Sequence, residues 1–306
     1  MLTNPAVDVI YSLDEIHPGT TATALKSRIV PAGKAVNVAR VIKALGEEVC
    51  VVGIVHAHNR DQFLEYLDDA GISSHVVVAP GATRINVTIQ ESKTGQTTHL
   101  SGLQAAMPST VQQEALESVK SHVHGEGDIC VFAGSLPAGL GNDYYQKIIP
   151  TCKEKGAFCL LDTSGKALKF GVRAKPHMIK PNLEELEEFF GETVQGVHHI
   201  ALKGKRLVDM GIEYVFISLG SDGMIAIHEN DCLLCSAPPI RAVDTVGCGD
   251  ALVAGLMTGY CRKFSFTEMC RLAVACGASK ALHSGAGAVD RNEVWQLMED
   301  VKIKSV

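Results

Sequence analysis

No stretch of about 18 apolar residues occurs in the 306-residue sequence, so no helix long enough to span a bilayer is expected. The N-terminus lacks the basic-then-apolar layout of a secretory signal. Positive charge is not in excess: 28 Lys and Arg stand against 34 Asp and Glu, for a net charge of -6. That balance argues against nucleic acid as a general partner, while leaving room for a local cationic pocket. Internal repeats, low-complexity tracts and obvious linkers are absent. Three nucleotide signatures are missing as well: G-x-x-x-x-G-K-S/T, G-x-G-x-x-G after a strand, and Asp-Phe-Gly. A P-loop NTPase, a Rossmann dehydrogenase and a protein kinase all lose ground on that basis.

Hydrophobic residues make up 46% and charged residues 20% of the chain, with a mean hydropathy of +0.13. This is the composition of a globular protein with a sizeable core. At this length, one large α/β domain with an appendage is expected. Ten cysteines lie scattered through apolar runs such as Val49-Cys50-Val51 and Phe158-Cys159-Leu160. Buried free thiols in a reducing cytoplasm explain that pattern better than disulfides. Cys232 and Cys235 have zinc-like spacing but no second Cys or His pair near them, so an ordinary strand is expected there.

Short apolar runs at Val49–Ile54, Ile129–Ala133, Phe158–Asp162 and Tyr214–Leu219 read as buried parallel strands. Amphipathic segments at Val36–Leu45, Asp61–Ala70, Asp143–Lys155 and Glu184–Phe190 read as helices, and helices dominate the last sixty residues. That alternation implies βαβ units and a mostly parallel sheet flanked by helices. Residues 7–30 and 83–104 alternate instead as strands exposed on one side, clearest at Ile85-Asn86-Val87-Thr88-Ile89-Gln90. They are expected to form a small β-sheet lid. Only Met1-Leu2-Thr3 precedes Asn4-Pro5, which leaves a short first strand unless further residues precede it.

Gly247-Cys248-Gly249-Asp250 leads straight into the apolar segment Ala251–Met257. Two glycines let the backbone turn tightly and bring its amides to an anion, and the helix adds its unpaired N–H groups and positive dipole end. Asp250 at that point can take a proton from a substrate hydroxyl, a role typically worth about 10²–10⁴-fold. Alone, the segment fits a helix-capping aspartate equally well.

Four segments together resolve the ambiguity. Asp244-Thr245-Val246-Gly247-Cys248-Gly249-Asp250 resembles the D-T-x-G-A-G-D signature of the ribokinase-like (phosphofructokinase-B) carbohydrate kinases. Pro31–Arg40 resembles their P-G-G-K-G-x-N-V-A-R, Lys180–Glu185 their K-P-N-x-x-E, and Ser218–Gly223 their S-L-G-x-x-G, in the family's order over nearly the whole chain. Asn4–Asp8, Thr83–Val87 and Gly134–Gly139 look like the branch of 1-phosphofructokinases, tagatose-6-phosphate kinases and minor 6-phosphofructokinases.

The resemblance implies a ribokinase-like α/β fold and transfer of the γ-phosphoryl group of ATP, with Mg²⁺, to a ketohexose phosphate. Fructose 1-phosphate is the first choice, and tagatose 6-phosphate and fructose 6-phosphate follow. It implies Asp250 as base, with Gly247, Cys248 and Gly249 as the anion hole. Asp8, Gly33, Asn37 and Ser135 would meet the sugar, and Lys34 and Arg84 its phosphate. Ser218, Gly220 and Gly223 would line the nucleotide site with Lys180 and Asn182 nearby, and Glu185 would order waters around Mg²⁺. Asn182 and Glu185 also fit an N-cap with its reciprocal partner. His56, His58, His198 and His199 match no motif and are read as structural or surface residues.

Exposed lid edges suggest a homodimer. A kinase for an unphosphorylated sugar or nucleoside, and a sugar-phosphate sensor without activity, remain as alternatives. The sequence departs from the family pattern in four places. Cys248 replaces an alanine and introduces a thiol open to oxidation, and Ala32 and Ala35 replace glycines. Ser101-Gly102-Leu103-Gln104 and Thr20-Thr21-Ala22-Thr23 lack the usual polar lid residues.

Overall fold

A computed structural model describes residues 1–103 and 105–306, so Gln104 of the expected lid lies outside the described residues. The strands are β1 Ala6–Leu13, β2 Lys26–Ala32, β3 Cys50–His56, β4 Ser73–Ala79, β5 Arg84–Glu91, β6 Thr97–Leu100, β7 Ile129–Ala133, β8 Phe158–Asp162, β9 Met178–Ile179, β10 Tyr214–Ser218, β11 Met224–His228, β12 Asp231–Ser236 and β13 Lys302–Ser305. The helices are α1 Lys34–Ala44, α2 Arg60–Asp69, α3 Ser109–His122, α4 Tyr144–Glu154, α5 Gly165–Arg173, α6 Leu183–Phe190, α7 Val197–Asp209, α8 Cys248–Cys261, α9 Phe266–Leu282 and α10 Arg291–Asp300.

β7, β8, β9 and β10 run parallel in that order, and β11, β12 and β13 extend the sheet antiparallel. On the other side lies the parallel pair β3–β4. The expected short first strand is a single residue. Leu2 bridges Gly53 of β3 and Ala133 of β7, joining the two parts of the sheet. Its N–H donates to Val52 O at 2.9 Å and its carbonyl accepts from Ile54 N at 2.8 Å.

Apolar side chains cover both faces, as the continuous hydrophobic runs of β8 and β10 require. On one face Phe132, Leu161 and Ile217 pack with Tyr145, Ile148 and Leu207 of α4 and α7. On the other, Leu160 and Phe216 pack with Val41 of α1, Leu256 of α8 and Ala273 of α9. The observed elements match the expected strands and helices to within two residues at each end. Cys232 and Cys235 lie in β12, as ordinary strand residues. All ten cysteines are free thiols. Among the described residues no helix is long and apolar enough to cross a membrane.

The two segments expected as a lid contribute a separate sheet ordered β2-β1-β5-β6. Residues 14–25 of the expected lid segment connect β1 to β2 and contain no strand.

The bridge at Leu2 leaves no room for a side chain at Gly53, where a Cβ would lie 2.0 Å from the Leu2 carbonyl oxygen. Gly53→Ala is expected to part the two halves of the sheet, at a cost of about 1–3 kcal/mol or more. Urea unfolding measures this, and an unchanged midpoint would contradict the role given to Leu2.

Candidate functional site

The carboxyl ends of parallel strands and the helix termini beside them are where α/β sheets bind ligands, and the motif residues gather there. Gly247 heads α8 at φ 84°, a conformation that glycine adopts without strain. A Cβ on it would lie 3.1 Å from that of Ala286. First-turn amides lack partners within their own helix, and Cys248 N reaches only Thr245 O, at 3.3 Å. Asp250, only 5% exposed, lies in that first turn. Asn37 of α1 donates Nδ2 to Asp250 Oδ2 at 2.8 Å. Burial pushes the Asp250 carboxyl up to about 6, against the pull of Lys34, the Asn37 hydrogen bond and Lys180.

A second carboxylate, not singled out from the sequence, organises the surroundings. Asp162 ends β8 and is buried. It accepts Lys34 Nζ on Oδ2 at 3.0 Å and faces Lys180 Nζ from Oδ1 at 3.1 Å. Burial would raise its pKa, but the two ammonium groups outweigh burial and hold it below the ordinary value. Lys34 moves in the opposite sense. Burial works to lower it, yet Asp162, Asp250 and Glu185 hold it above the usual lysine range.

Lys34, expected at the sugar's phosphate, therefore has its ammonium on Asp162. Lys180, expected near the nucleotide, borders the glycine turn that opens α8, since a Cβ on Gly249 would lie 3.6 Å from its Nζ. The one sequence signal for Asp162 is an acidic residue closing a buried apolar strand.

The glycine of the Gly33 motif has φ 133° and caps α1, where its carbonyl accepts from Asn37 N at 3.0 Å. The non-glycine residues with positive φ among the described residues are Lys175, Glu229 and Lys263. Ala32 and Ala35 therefore replace glycines without strain. Cys248 is also compatible. Burial pushes its thiol up to about 11, so it stays protonated at neutral pH, which weakens the expectation of sensitivity to oxidation.

The lid has two chemically different faces, set by its register. Asp8 pairs with Asn86 and Val30, and Ala6 with Arg84, placing Asp8, Asn86, Arg84 and Arg28 on one side. Asn86 Nδ2 donates to Asp8 Oδ1 at 2.8 Å, and its Oδ1 accepts from Gly102 N at 3.2 Å. Burial raises the Asp8 carboxyl above its ordinary value and lowers the Arg84 guanidinium. Arg84 makes one long contact, Nε to Pro5 O at 3.4 Å. Arg28, not anticipated from the sequence, approaches Gly285 beside the α8 loop. Ser135, in the turn after β7, accepts from Asn4 Nδ2 at 2.9 Å. The opposite face carries Val9, Tyr11, Ile29, Ile85, Val87 and Leu100.

On the far side of Lys180, an open groove of ≈ 890 Å³ is lined by Asn182, Val197, Ser218, Gly220 and Ala237 among others. Gly223 does not line it. It stands in the turn before β11, where a Cβ would lie 2.0 Å from Cys235 O. Asn182 and Glu185 form the reciprocal cap of α6, at 2.7 Å and 2.9 Å. His56 is buried with Nδ1 2.9 Å from Pro80 O, and His198 and His199 lie in the first turn of α7.

The pfkB family carbohydrate kinase profile matches residues 2–292. The chain is 33% identical to the 1-phosphofructokinase of Haemophilus influenzae over 99% of its own length and 96% of the relative's. It is 32% identical to that of Bacillus subtilis over 98% and 97%. Its fold superposes on phosphofructokinase-2 from Escherichia coli, solved in complex with potassium, with a TM-score of 0.92 at 24% identity over 97% and 96% of the two chains. A buried carboxylate at a glycine-headed helix, two lysines beside it and a full-length family match lead to one assignment: the chain belongs to the pfkB family of carbohydrate kinases and is a phosphotransferase with an alcohol group as acceptor.

Proposed function

We propose that this enzyme transfers the γ-phosphoryl group of ATP to the free primary hydroxyl of fructose 1-phosphate, giving fructose 1,6-bisphosphate. The observation that carries the mechanism is Asp250, buried in the first turn of α8, held by Asn37 and raised to about 6. A base with that pKa is ionised at neutral pH yet accepts a proton readily. The substrate identity draws support from the relatives named 1-phosphofructokinase, which match nearly the full chain.

In this reading Asp250 takes the hydroxyl proton while the amides of Gly247, Cys248 and Gly249 stabilise the transferring phosphoryl oxygens. Lys180 and Lys34 add positive charge on either side of Asp162. Asp8, with Asn86 fixing its carboxylate, holds sugar hydroxyls together with Gly33, Asn37 and Ser135. Arg84, half-buried on the same lid face, takes the substrate's existing phosphate as a fork. The adenosine and the non-transferred phosphates of ATP occupy the groove of Asn182, Ser218 and Gly220.

Among the described residues no three His, Cys, Asp or Glu side chains converge into a metal cage. That suits Mg²⁺ carried on the nucleotide phosphates with most of its waters. Mg²⁺ bound with the nucleotide would neutralise phosphate charge, and Glu185, whose Oε2 accepts from Asn182 N, would order its waters.

The apolar lid face leaves Ile29, Ile85 and Leu100 59%, 54% and 57% exposed. We assign it to contact with a second copy of the chain.

Six outcomes test these assignments. In an ADP-release assay over sugars and sugar phosphates, fructose 1-phosphate is expected to give the highest kcat/KM. Asp250→Asn should lower kcat by about 10²–10⁴-fold. The wild-type rate should fall below an apparent pKa near 6, because protonation removes the base. The same shift reverses the usual sign for stability. A carboxyl raised in the folded state stabilises while protonated and loses that contribution as pH rises through about 6. Asp250→Asn should therefore unfold no more easily than wild type at pH 8, and a marked loss of stability would contradict the environment described. Arg84→Met should raise KM for phosphorylated sugars at least tenfold and leave that for ATP unchanged, and an unchanged sugar KM removes Arg84 from the site. Light scattering should find a dimer that Ile29→Asp with Ile85→Asp converts to a monomer, and a wild-type monomer overturns the lid interface.

A further inference from the structure

Lys280, in the last turn of α9, is wholly buried, with 0% of its surface exposed. A buried ammonium needs partners for its protons and a compensating charge. Lys280 Nζ donates to Asp244 O at 2.9 Å and to His283 O at 3.0 Å, and Asp244 Oδ2 lies 3.7 Å away. The surrounding bonds connect the two segments that these carbonyls belong to. Asp244 Oδ1 accepts from Val246 N at 3.0 Å, and Oδ2 from Gly285 N at 2.9 Å. Val243 N and Asp244 N both donate to Ala281 O, at 2.7 Å and 3.1 Å.

The ammonium thus sits where the Asp244–Gly247 loop, the end of α9 and the 283–287 turn meet. That turn presses Ala286 against Gly247, the residue that heads the anion hole. Four glycines at 247, 249, 285 and 287 would otherwise leave these segments many conformations to lose on closing around a phosphoryl group. A cation at the negative end of α9 also opposes its dipole favourably.

We infer that Lys280 is a positioning residue for phosphoryl transfer, an internal cation that fastens the anion-hole loop to the end of α9. It touches no reacting atom and acts through Asp244 and Gly247. The inference rests on the proposed role of Gly247–Asp250 in catalysis. An ammonium and a potassium ion are similar in size and charge, and both bind carbonyl oxygens. Removing the lysine side chain's charge therefore leaves a carbonyl-lined position that an alkali ion of that size can fill.

The test is Lys280→Ala and Lys280→Met assayed in tetramethylammonium buffer, with potassium, ammonium or lithium chloride added. The expected result is at least a tenfold loss of kcat with KM for ATP changed less than threefold. Potassium or ammonium should restore Lys280→Ala substantially, and lithium should not. Wild type should show no dependence on these ions. Full kcat in both variants overturns the inference, as does a folded Lys280→Ala variant that no ion improves. If neither variant folds, wild type decides: activation severalfold by potassium would show that the ammonium does not fill this position. Should wild type turn over ATP with no sugar, the functional reading fails separately. Thermal stabilisation of Lys280→Ala by potassium over lithium then still tests the cation position, and its absence overturns it.

Discussion

Asp162 faces an ammonium from each carboxylate oxygen, Lys34 at 3.0 Å and Lys180 at 3.1 Å, and that triad ties together the segments around Asp250. Lys34 opens α1, which also supplies Asn37, and Lys180 leads from β9 into the capped start of α6. One buried carboxylate thereby joins the helix whose Asn37 holds Asp250 to the segment beside the groove of Asn182 and Ser218. Desolvating three charges is costly, and removing one partner of such a group typically costs about 3–5 kcal/mol because the remainder are left unpaired. A well-packed apolar replacement could stabilise the fold as well, so the triad is better explained by the charge it sets at the site.

That charge is nearly balanced. Asp162 adds repulsion that raises Asp250, while Lys34 and Lys180 lower it, and burial decides the outcome at about 6. A lone capping aspartate would be partly solvated and titrate near its ordinary value. The structure instead buries Asp250 and gives it an amide donor from another helix, an environment that suits the base role proposed for it. The lid applies the same physics more weakly, with Asp8 raised by burial and held by Asn86.

Much of this was legible in the sequence because its signals are local. Continuous apolar runs located β7, β8 and β10, period-two alternation located β5, and the Asn182–Glu185 spacing gave the cap of α6. The family motifs placed Asp250, Asn37 and Gly33 together. Long-range pairing was not legible. Lys34 and Asp162 are 128 residues apart and come together only when β8 and the start of α1 reach the same sheet edge. β4 begins Ser73-Ser74-His75, too polar to stand out, and is defined by its parallel pairing with β3. The first strand shrank to Leu2 because two flanking strands supply its partners. Gly223 read as a ligand glycine from its motif, although its close approach to Cys235 accounts for it structurally.

The balance of charges around Asp250 is most directly tested by ¹³C NMR titration of aspartate carboxyls, with Asp250→Asn providing the assignment. The account requires a resonance titrating near 6 in wild type that moves higher in Lys34→Met, since Lys34 lowers it. An ordinary carboxylate titration near 4, unmoved by the loss of Lys34, would contradict it.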